Sequence, residues 1–402
     1  MYKYNLQNLQ YVDEIKKGYI SLQQATRLIE NDEGLSFIDN GKHSLLLGQT
    51  SNGSATIKVC SNVGISNKDN FHTAVARIEK LNNLTYKPDM IFDHTPSHNG
   101  LILWSEIRKI YNGIIGFCPV LSTANKNNID KSELLELIDQ VCEGGVNLIH
   151  IIPTINRDLY NTAKHDRFYP LTSWSGGLLY DDMIANNREQ NVVAECFDEI
   201  LKILKKHNAT CDIGIAFRPI RISECLDAAH TTELKEQEYW INKAKQAGVL
   251  TIREIGGHIP VHKAKQLSQT IGTHTPSMPL PVSIDSCQGF DHASSIVAMT
   301  ALGEHCNIAF FNPVTDIEHT GGVPTFAEIS AGLKSAITVA HSLDIGNIPQ
   351  TQELDDIVSD IRQKAQTCVV EYGLFDQTKL DFDKLRKGCN RCGAFCPLIK
   401  ND

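Results

Sequence analysis

Short apolar runs rich in β-branched residues alternate along this chain with stretches whose apolar positions recur at helical spacing. The runs cover residues 55–60, 89–93, 113–120, 147–152, 211–217, 249–254, 281–284 and 306–311. Between them, sets such as Leu134/Leu137/Ile138/Val141 and Phe197/Ile200/Leu201/Leu204 fall at i, i+3, i+4 and i+7, the signature of one buried helix face. Asp130 with Glu133, and Thr325 with Glu328, read as capping boxes, and Gly248 as a C-cap. Eight strands, each followed by a helix, predict an α/β fold of the (β/α)8 TIM-barrel type. The seventh strand is the weakest of the eight, because Pro279 and Pro281 remove ladder donors. Residues 153–191 break the rhythm, and a connection of that length reads as a lid or binding loop. The pattern divides the chain into an N-terminal helical segment at 1–50, the barrel at 51–345, and a C-terminal helix with a small cysteine-bearing tail at 346–402.

Composition narrows the setting. A chain of 402 residues exceeds one small core, so a large domain with an appendage is expected. A net charge of −9 without a basic run argues against nucleic acid or an anionic membrane as partner. No stretch approaches the length needed to span a bilayer, and the first residues lack the apolar core of a signal peptide. Twelve cysteines in an unexported chain imply a reducing, cytoplasmic setting.

In a barrel, chemistry gathers where the strands end. Asn62 follows the first strand and Asp93 ends the second. Arg218 closes the fifth, and the sixth runs into Glu254-Ile-Gly-Gly-His258. Asp285 ends the seventh, with Asp291-His292 beyond it, and the eighth leads through Asn312 to Glu318-His319-Thr-Gly-Gly. Each has a structural alternative: Asp285 and Asp291 as helix caps, Glu254 and Arg218 as an ion pair, a lone histidine as a solvated side chain. His258 and His319 stand apart, because each sits beside a glycine-rich turn that lets backbone approach closely. Two imidazoles near a carboxylate suit Zn²⁺ or Fe²⁺ with open coordination positions.

The tail carries Cys389, Cys392 and Cys396 with no fourth cysteine after them. Four thiolates would close a metal site, whereas three leave one position open. A [4Fe–4S] cluster held this way presents one unsaturated iron, where S-adenosylmethionine chelates and is reductively cleaved. A zinc knuckle completed from elsewhere, or three idle thiols, also satisfies the spacing.

The second half of the chain resembles the phosphomethylpyrimidine synthase family of radical S-adenosylmethionine enzymes. The carriers are Ile213-Gly214…Phe217-Arg218-Pro219, Glu254-Ile-Gly-Gly-His258-Ile-Pro260, Ile284-Asp285…Gly289-Phe290-Asp291-His292, and Asn312-Pro313…Glu318-His319-Thr-Gly-Gly-Val-Pro324. Lys58-Val-Cys-Ser-Asn62-Val-Gly64 is similar to the family's first-strand segment. The resemblance implies a barrel, a homodimer, a [4Fe–4S] cluster on Cys389, Cys392 and Cys396, and a divalent metal on His258 and His319. It further implies an aminoimidazole-ribotide-like substrate, an electron donor such as flavodoxin or ferredoxin, and a site formed by Asn62, Phe92, Leu121, Ser175, Gly176, Arg218, Glu254 and Ser277, with Glu254 and Arg218 as catalytic contacts.

The departures are as informative. The second cysteine gap is one residue shorter than the family's. Its Asp-Gly-Leu-Arg has become Ile215-Ala216-Phe217-Arg218, and its Ser-Arg-Gly-Gly falls at Trp174-Ser175-Gly176-Gly177 without the arginine. Pocket tyrosines fall at Leu121 and Ser277, a methionine at Phe92, and the pocket histidine has no clean match, since His150 sits two positions early. The expected outcome is a radical enzyme with its metal apparatus kept and its substrate pocket rebuilt, unless Lys164 or Arg167 replaces the lost arginine. A metal-dependent barrel lyase or hydrolase with a zinc-knuckle tail, and a non-enzymatic iron–sulfur or zinc sensor, are the alternatives.

Overall fold

A computed structural model of the chain describes residues 5–17, 19–30, 36–51, 53–65, 71–96, 100–123, 128–364, 391–392 and 395–397. The eight expected strands are β1 (Lys58–Val63), β2 (Met90–Asp93), β3 (Ile114–Phe117), β4 (Leu148–Ile151), β5 (Thr210–Ile213), β6 (Thr251–His258), β7 (Ser277–Val282) and β8 (Phe310–Phe311). Each pairs in parallel with the next, and β8 returns to β1 with Phe310 opposite Lys58. A parallel bridge from Ser277 to Ile308 closes the last seam, so the sheet is a (β/α)8 barrel.

β7 begins four residues before its expected start and runs through both prolines. Pro279 and Pro281 lie opposite Ile255 and Gly257 of β6. On the other side, the Ser277 and Pro279 carbonyls accept from Ala309 N and Asn312 N, at 2.8 and 3.1 Å. The odd-numbered positions of β7 therefore face β8, which is two residues long. The missing proline donors fall on a seam with little ladder to interrupt, so the strand tolerates them.

The helical reading holds in detail. Leu134, Leu137, Ile138 and Val141 are buried on the helix Lys131–Glu143, as are Phe197, Ile200, Leu201 and Leu204 on Phe197–Lys206. The Asp130 side chain accepts from Glu133 N, Thr325 and Glu328 form a reciprocal capping box, and Gly248 takes φ +77°. Inside the barrel, Cys60, Met90, Phe92, Ile114, Leu148, Ile252, Met278 and Phe310 form one apolar cluster. Ile38 and Leu47 join it from a hairpin, Ser36–Asp39 and Ser44–Leu47, which plugs the end where the strands begin. The first fifty residues thus hold this hairpin as well as the helices Leu6–Lys16 and Leu22–Leu28.

The connection after β4 is not an irregular lid. It folds into two helices, Arg157–Asp166 capped by Asn156 and Trp174–Ala185 capped by Ser173, whose Tyr160 and Tyr180 rings stack at 3.8 Å. Gly176 and Gly177 in the first turn conceal the second helix from a propensity reading. Gly176 is required for packing, since a Cβ there would lie 2.8 Å from Ala216 Cβ. At the other end of the chain, Leu354 and Ile357 of the helix Pro349–Lys364 pack on Tyr11, Val12, Leu22 and Ala25. Of the cysteine tail, Cys389 lies outside the described residues. Cys392 is exposed, Cys396 is half-buried, and Phe395 N donates to Cys392 O at 3.0 Å. Among the described residues, no helix is long and apolar enough to cross a membrane.

Candidate active site

The ends of the strands bring two polar groups to one mouth. On the β4–β6 side, Asp212 of β5 is fully buried, and its Oδ2 lies 2.8 Å from His150 Nδ1 on β4. His150 Nε2 lies 3.9 Å from Glu254 Oε2 of β6, and Glu254 Oε1 lies 3.8 Å from Arg218 Nη1. Glu254 Oε2 also accepts Ile215 N at 2.9 Å. Gly214 makes room for the ring, because a Cβ there would stand 2.2 Å from His150 Cε1. Burial disfavours an imidazolium, but the Asp212 hydrogen bond and the nearby charges of Glu254 and Asp212 outweigh it and raise His150. Phe92, also inside, stacks on His94 at 4.3 Å, and burial with the charges of His150 and Arg218 depresses His94 to about 3.

The loop carrying Arg218 is pinned by buried side chains. Glu233, on the helix Ala228–Gln246, accepts from Ala216 N, Phe217 N and Thr154 Oγ1 at 2.7, 2.6 and 2.7 Å. Burial lifts its carboxyl to about 7. Gln237 donates to the carbonyls of Ile213, Gly214 and Glu254. Arg167 donates to both carboxylate oxygens of Asp227, at 2.8 and 2.7 Å, and to Phe217 O at 2.8 Å. Its side chain is wholly buried, so it is committed to this scaffold.

On the β6–β8 side, His258 ends β6 and His319 follows β8, and their rings face each other with centroids 5.4 Å apart. Asp285 Oδ1 holds His258 Nδ1 at 2.8 Å and leaves Nε2 free, the carboxylate–imidazole arrangement that orients metal ligands. Burial keeps His258 below its ordinary value despite that carboxylate, which favours the neutral, metal-binding form. His319 Nδ1 bonds Asp291 Oδ1, and Cys287 Sγ lies 3.0 Å from the same oxygen and 3.8 Å from His319 Nδ1. Burial works against the charge of Asp291, but the hydrogen bonds from His319 and Cys287 hold it below the usual carboxylate value. The donor set, two imidazoles with carboxylates behind them, fits a divalent metal.

Several other expected residues are also placed. Asn62 Nδ2 donates to Asn312 Oδ1 at 2.6 Å across the β8–β1 seam. Asn62, His94, Trp174 and Glu318 line a cavity of about 360 Å³ at the mouth. Ser175 and Gly176 lie buried in the first turn of Trp174–Ala185, and Leu121 is buried on the short helix Pro119–Thr123. Phe92 is fully buried, a floor beneath His94 rather than an exposed wall. Ser277 is not brought to the site: it starts β7, opposite Arg253, at the end of the barrel away from the mouth. Its place in the pocket rested on the resemblance, in which a family tyrosine falls at this position, whereas the strand begins with it.

Asp212, Glu233 and Cys287 escaped the sequence reading, and His150 was noted only as misplaced. The available signal was polar residues inside the four-residue strands Leu148–Ile151 and Thr210–Ile213, where alternation turns them inward.

The chain is similar to known proteins along most of its length. The Radical SAM ThiC family matches residues 33–401. A phosphomethylpyrimidine synthase of Finegoldia magna is 26% identical over 324 residues, covering 73% of each chain. One of Ignicoccus hospitalis is 24% identical over 375 residues, covering 86% of this chain and 82% of its own. Among solved structures, dihydropteroate synthase of Xanthomonas albilineans overlays with a TM-score of 0.45 at 10% identity, covering 76% of this chain and 97% of that one. With the match spanning the barrel and the cysteine tail, the chain belongs to the Radical SAM ThiC family.

Proposed function

We propose that this protein is a radical S-adenosylmethionine lyase that rearranges an aminoimidazole-ribotide-like substrate in a pocket altered from that of its phosphomethylpyrimidine synthase relatives. The observation that carries the reading is the pair of histidines facing across the mouth, with carboxylates behind them, in a chain of this family. His258 and His319 would hold a divalent ion, Zn²⁺ or Fe²⁺, beside the reacting group. A [4Fe–4S] cluster on Cys389, Cys392 and Cys396 would supply the reductive cleavage of S-adenosylmethionine to a 5′-deoxyadenosyl radical. Arg218 and Glu254 contact the substrate from the opposite side of the mouth. Glu254, held by Ile215 N and 3.9 Å from His150 Nε2, would accept or return a proton. A homodimer reduced by flavodoxin or ferredoxin is the working assembly.

The altered pocket is supported by what stands where charge is expected. Ile215 is buried and apolar, Trp174 is exposed at the mouth, and Arg167 is spent on Asp227. A phosphate without its arginine loses a contact of about 1.5–3 kcal/mol, roughly ten- to a hundredfold in affinity.

The test is anaerobic reconstitution with iron and sulfide, followed by S-adenosylmethionine, a strong reductant and a panel of imidazole ribotides and their uncharged relatives. Release of 5′-deoxyadenosine that rises with one of these substrates supports the reading. Stoichiometric zinc in the tail with no iron overturns it. Growth of a thiamine-pyrimidine auxotroph restored at ordinary expression would keep the radical chemistry and overturn the altered pocket.

A further inference from the structure

The turn between β7 and the helix Asp291–Gly303 places a thiol inside the histidine group. Phe290 N donates to Cys287 O at 2.7 Å, and Gly289 sits at the third position of that turn with φ +81°. A positive φ there is what a type II turn requires, and glycine supplies it without steric cost. The turn folds Cys287 back beneath the helix start, where both Cys287 and Asp291 are buried. Asp291 Oδ2 accepts Gly289 N at 3.2 Å, which fixes the carboxylate and turns Oδ1 toward the thiol and the imidazole.

Three donor atoms of different chemistry therefore converge: Cys287 Sγ, Asp291 Oδ1 and His319 Nδ1, all within 4.8 Å of one another. The 3.8 Å between sulfur and nitrogen is close to the roughly 3.5 Å that two ligands of one tetrahedral zinc show, from bond lengths of about 2.3 and 2.0 Å. Two hydrogens, one on sulfur and one on the ring, now point at a single carboxylate oxygen. A divalent cation in their place would satisfy all three atoms at once.

We propose that Cys287 is a thiolate ligand of the mouth metal, binding it together with Asp291 and Nδ1 of His319. This deepens the two-histidine reading above and rests on it, with Asp291 moving from its place behind the His319 ring to the ion itself. Binding takes the thiol proton to solvent and moves the ring proton of His319 from Nδ1 to Nε2, so one proton leaves per ion and no redox change occurs. A thiolate makes the site softer than one of imidazoles and oxygens, favouring Zn²⁺, Fe²⁺ or Co²⁺ over Mg²⁺ or Mn²⁺. A cysteine nucleophile activated by histidine is the competing use of these side chains. It is disfavoured because Cys287 as a residue is only 1% exposed, which leaves a substrate carbon little access to it.

Cobalt reports the difference directly. The full-length chain is used with Cys389→Ser, Cys392→Ser and Cys396→Ser, so that the tail contributes no thiolate, and is titrated anaerobically with Co²⁺. The expected result is a near-ultraviolet sulfur-to-cobalt charge-transfer band saturating at one ion per chain. Adding Cys287→Ser should abolish that band and weaken Co²⁺ binding about tenfold or more. Cys287→Asp should keep the ion and lose the band, which separates ligand loss from misfolding. Visible cobalt bands that vanish in His258→Ala, with no charge-transfer band in the parent, would overturn the thiolate and leave the two-histidine reading intact. No cobalt at the mouth in any variant would overturn both.

Discussion

The two sides of the mouth are built on opposite principles. On the β4–β6 side, Asp212, His150 and Glu254 project from the strands themselves and are buried. Glu254 is tied by Ile215 N, and the loop beside it by Glu233, Gln237 and Arg167. On the β6–β8 side, only His258 stands on a strand. Asp285, Cys287 and His319 come from the connections after β7 and β8, where Asp285 and His319 keep about two-fifths of their side chains in contact with solvent. Buried ion pairs depend on one geometry, because separating them strands a charge in a low dielectric. Loop residues can rearrange around an ion at small cost. The difference teaches that the first side is held by buried pairs within the strands, and we propose that the second, built on loops, is the side that receives the ion.

That contrast is open to attack by mutation. The largest effect is expected at Asp212. Asp212→Ala leaves His150 buried without its carboxylate and should cost about 3–5 kcal/mol in urea unfolding. A loss below about 1 kcal/mol would mean that buried pairs do not hold this side in the sense argued. At Asp285 the effect should move from stability to metal. Asp285→Asn should change unfolding by less than about 1 kcal/mol, because the Asp285 carboxylate is nearly half exposed and the amide oxygen can still accept from His258. Metal affinity at the mouth should fall about ten- to a hundredfold, as for other removed carboxylate partners of a ligating imidazole. Equal losses in both measurements would erase the distinction between the two sides.

A smaller effect concerns pH. His94 is depressed to about 3 in the folded chain, below the ordinary histidine value. Between that ordinary value and pH 3, the unfolded chain binds a proton that the folded chain does not. Stability from this residue is therefore intact above about pH 6.5 and falls as pH drops, by roughly 1.4 kcal/mol per unit. Raised carboxyls such as Asp93 and Glu233, both at about 7, act in the opposite sense, losing their contribution as pH rises toward 7. The comparison is thus between the parent and His94→Gln at pH 5 and pH 7, where the variant should lack the histidine's share of the acid loss. The smallest effect is expected at Trp174, which is 58% exposed. Trp174→Ala should leave unfolding within about 0.5 kcal/mol while weakening any flat ligand held in the mouth cavity, measured by calorimetry.

Much of this architecture was legible in the chain because periodicity reports burial. Leu134 to Val141 and Phe197 to Leu204 declared their buried faces, and Asp130, Thr325 and Gly248 their helix ends. His258, His319, Glu254 and Arg218 were legible as a set because a barrel sends strand ends to one place. The helix Trp174–Ala185 was not, since two glycines in its first turn lower local propensity and only contact with Ala216 explains Gly176. Ser277 was assigned to the pocket by resemblance alone, and the strand that it starts runs on through two prolines. Their tolerance depends on the two-residue length of β8, a fact about a neighbour.

What the sequence determined by itself, then, was the alternation of strands and helices, the position of the polar residues at strand ends, and the three-cysteine tail. These follow from local chemistry: side-chain period, capping and ligand type act within a few residues of one another. Only the tertiary structure decided that Asp212 reaches His150, that Arg167 belongs to Asp227, and that Cys287 lies against Asp291 and His319. Those contacts join residues 62, 60 and 32 positions apart. Strand register and barrel closure set them, and no window along the chain contains that information.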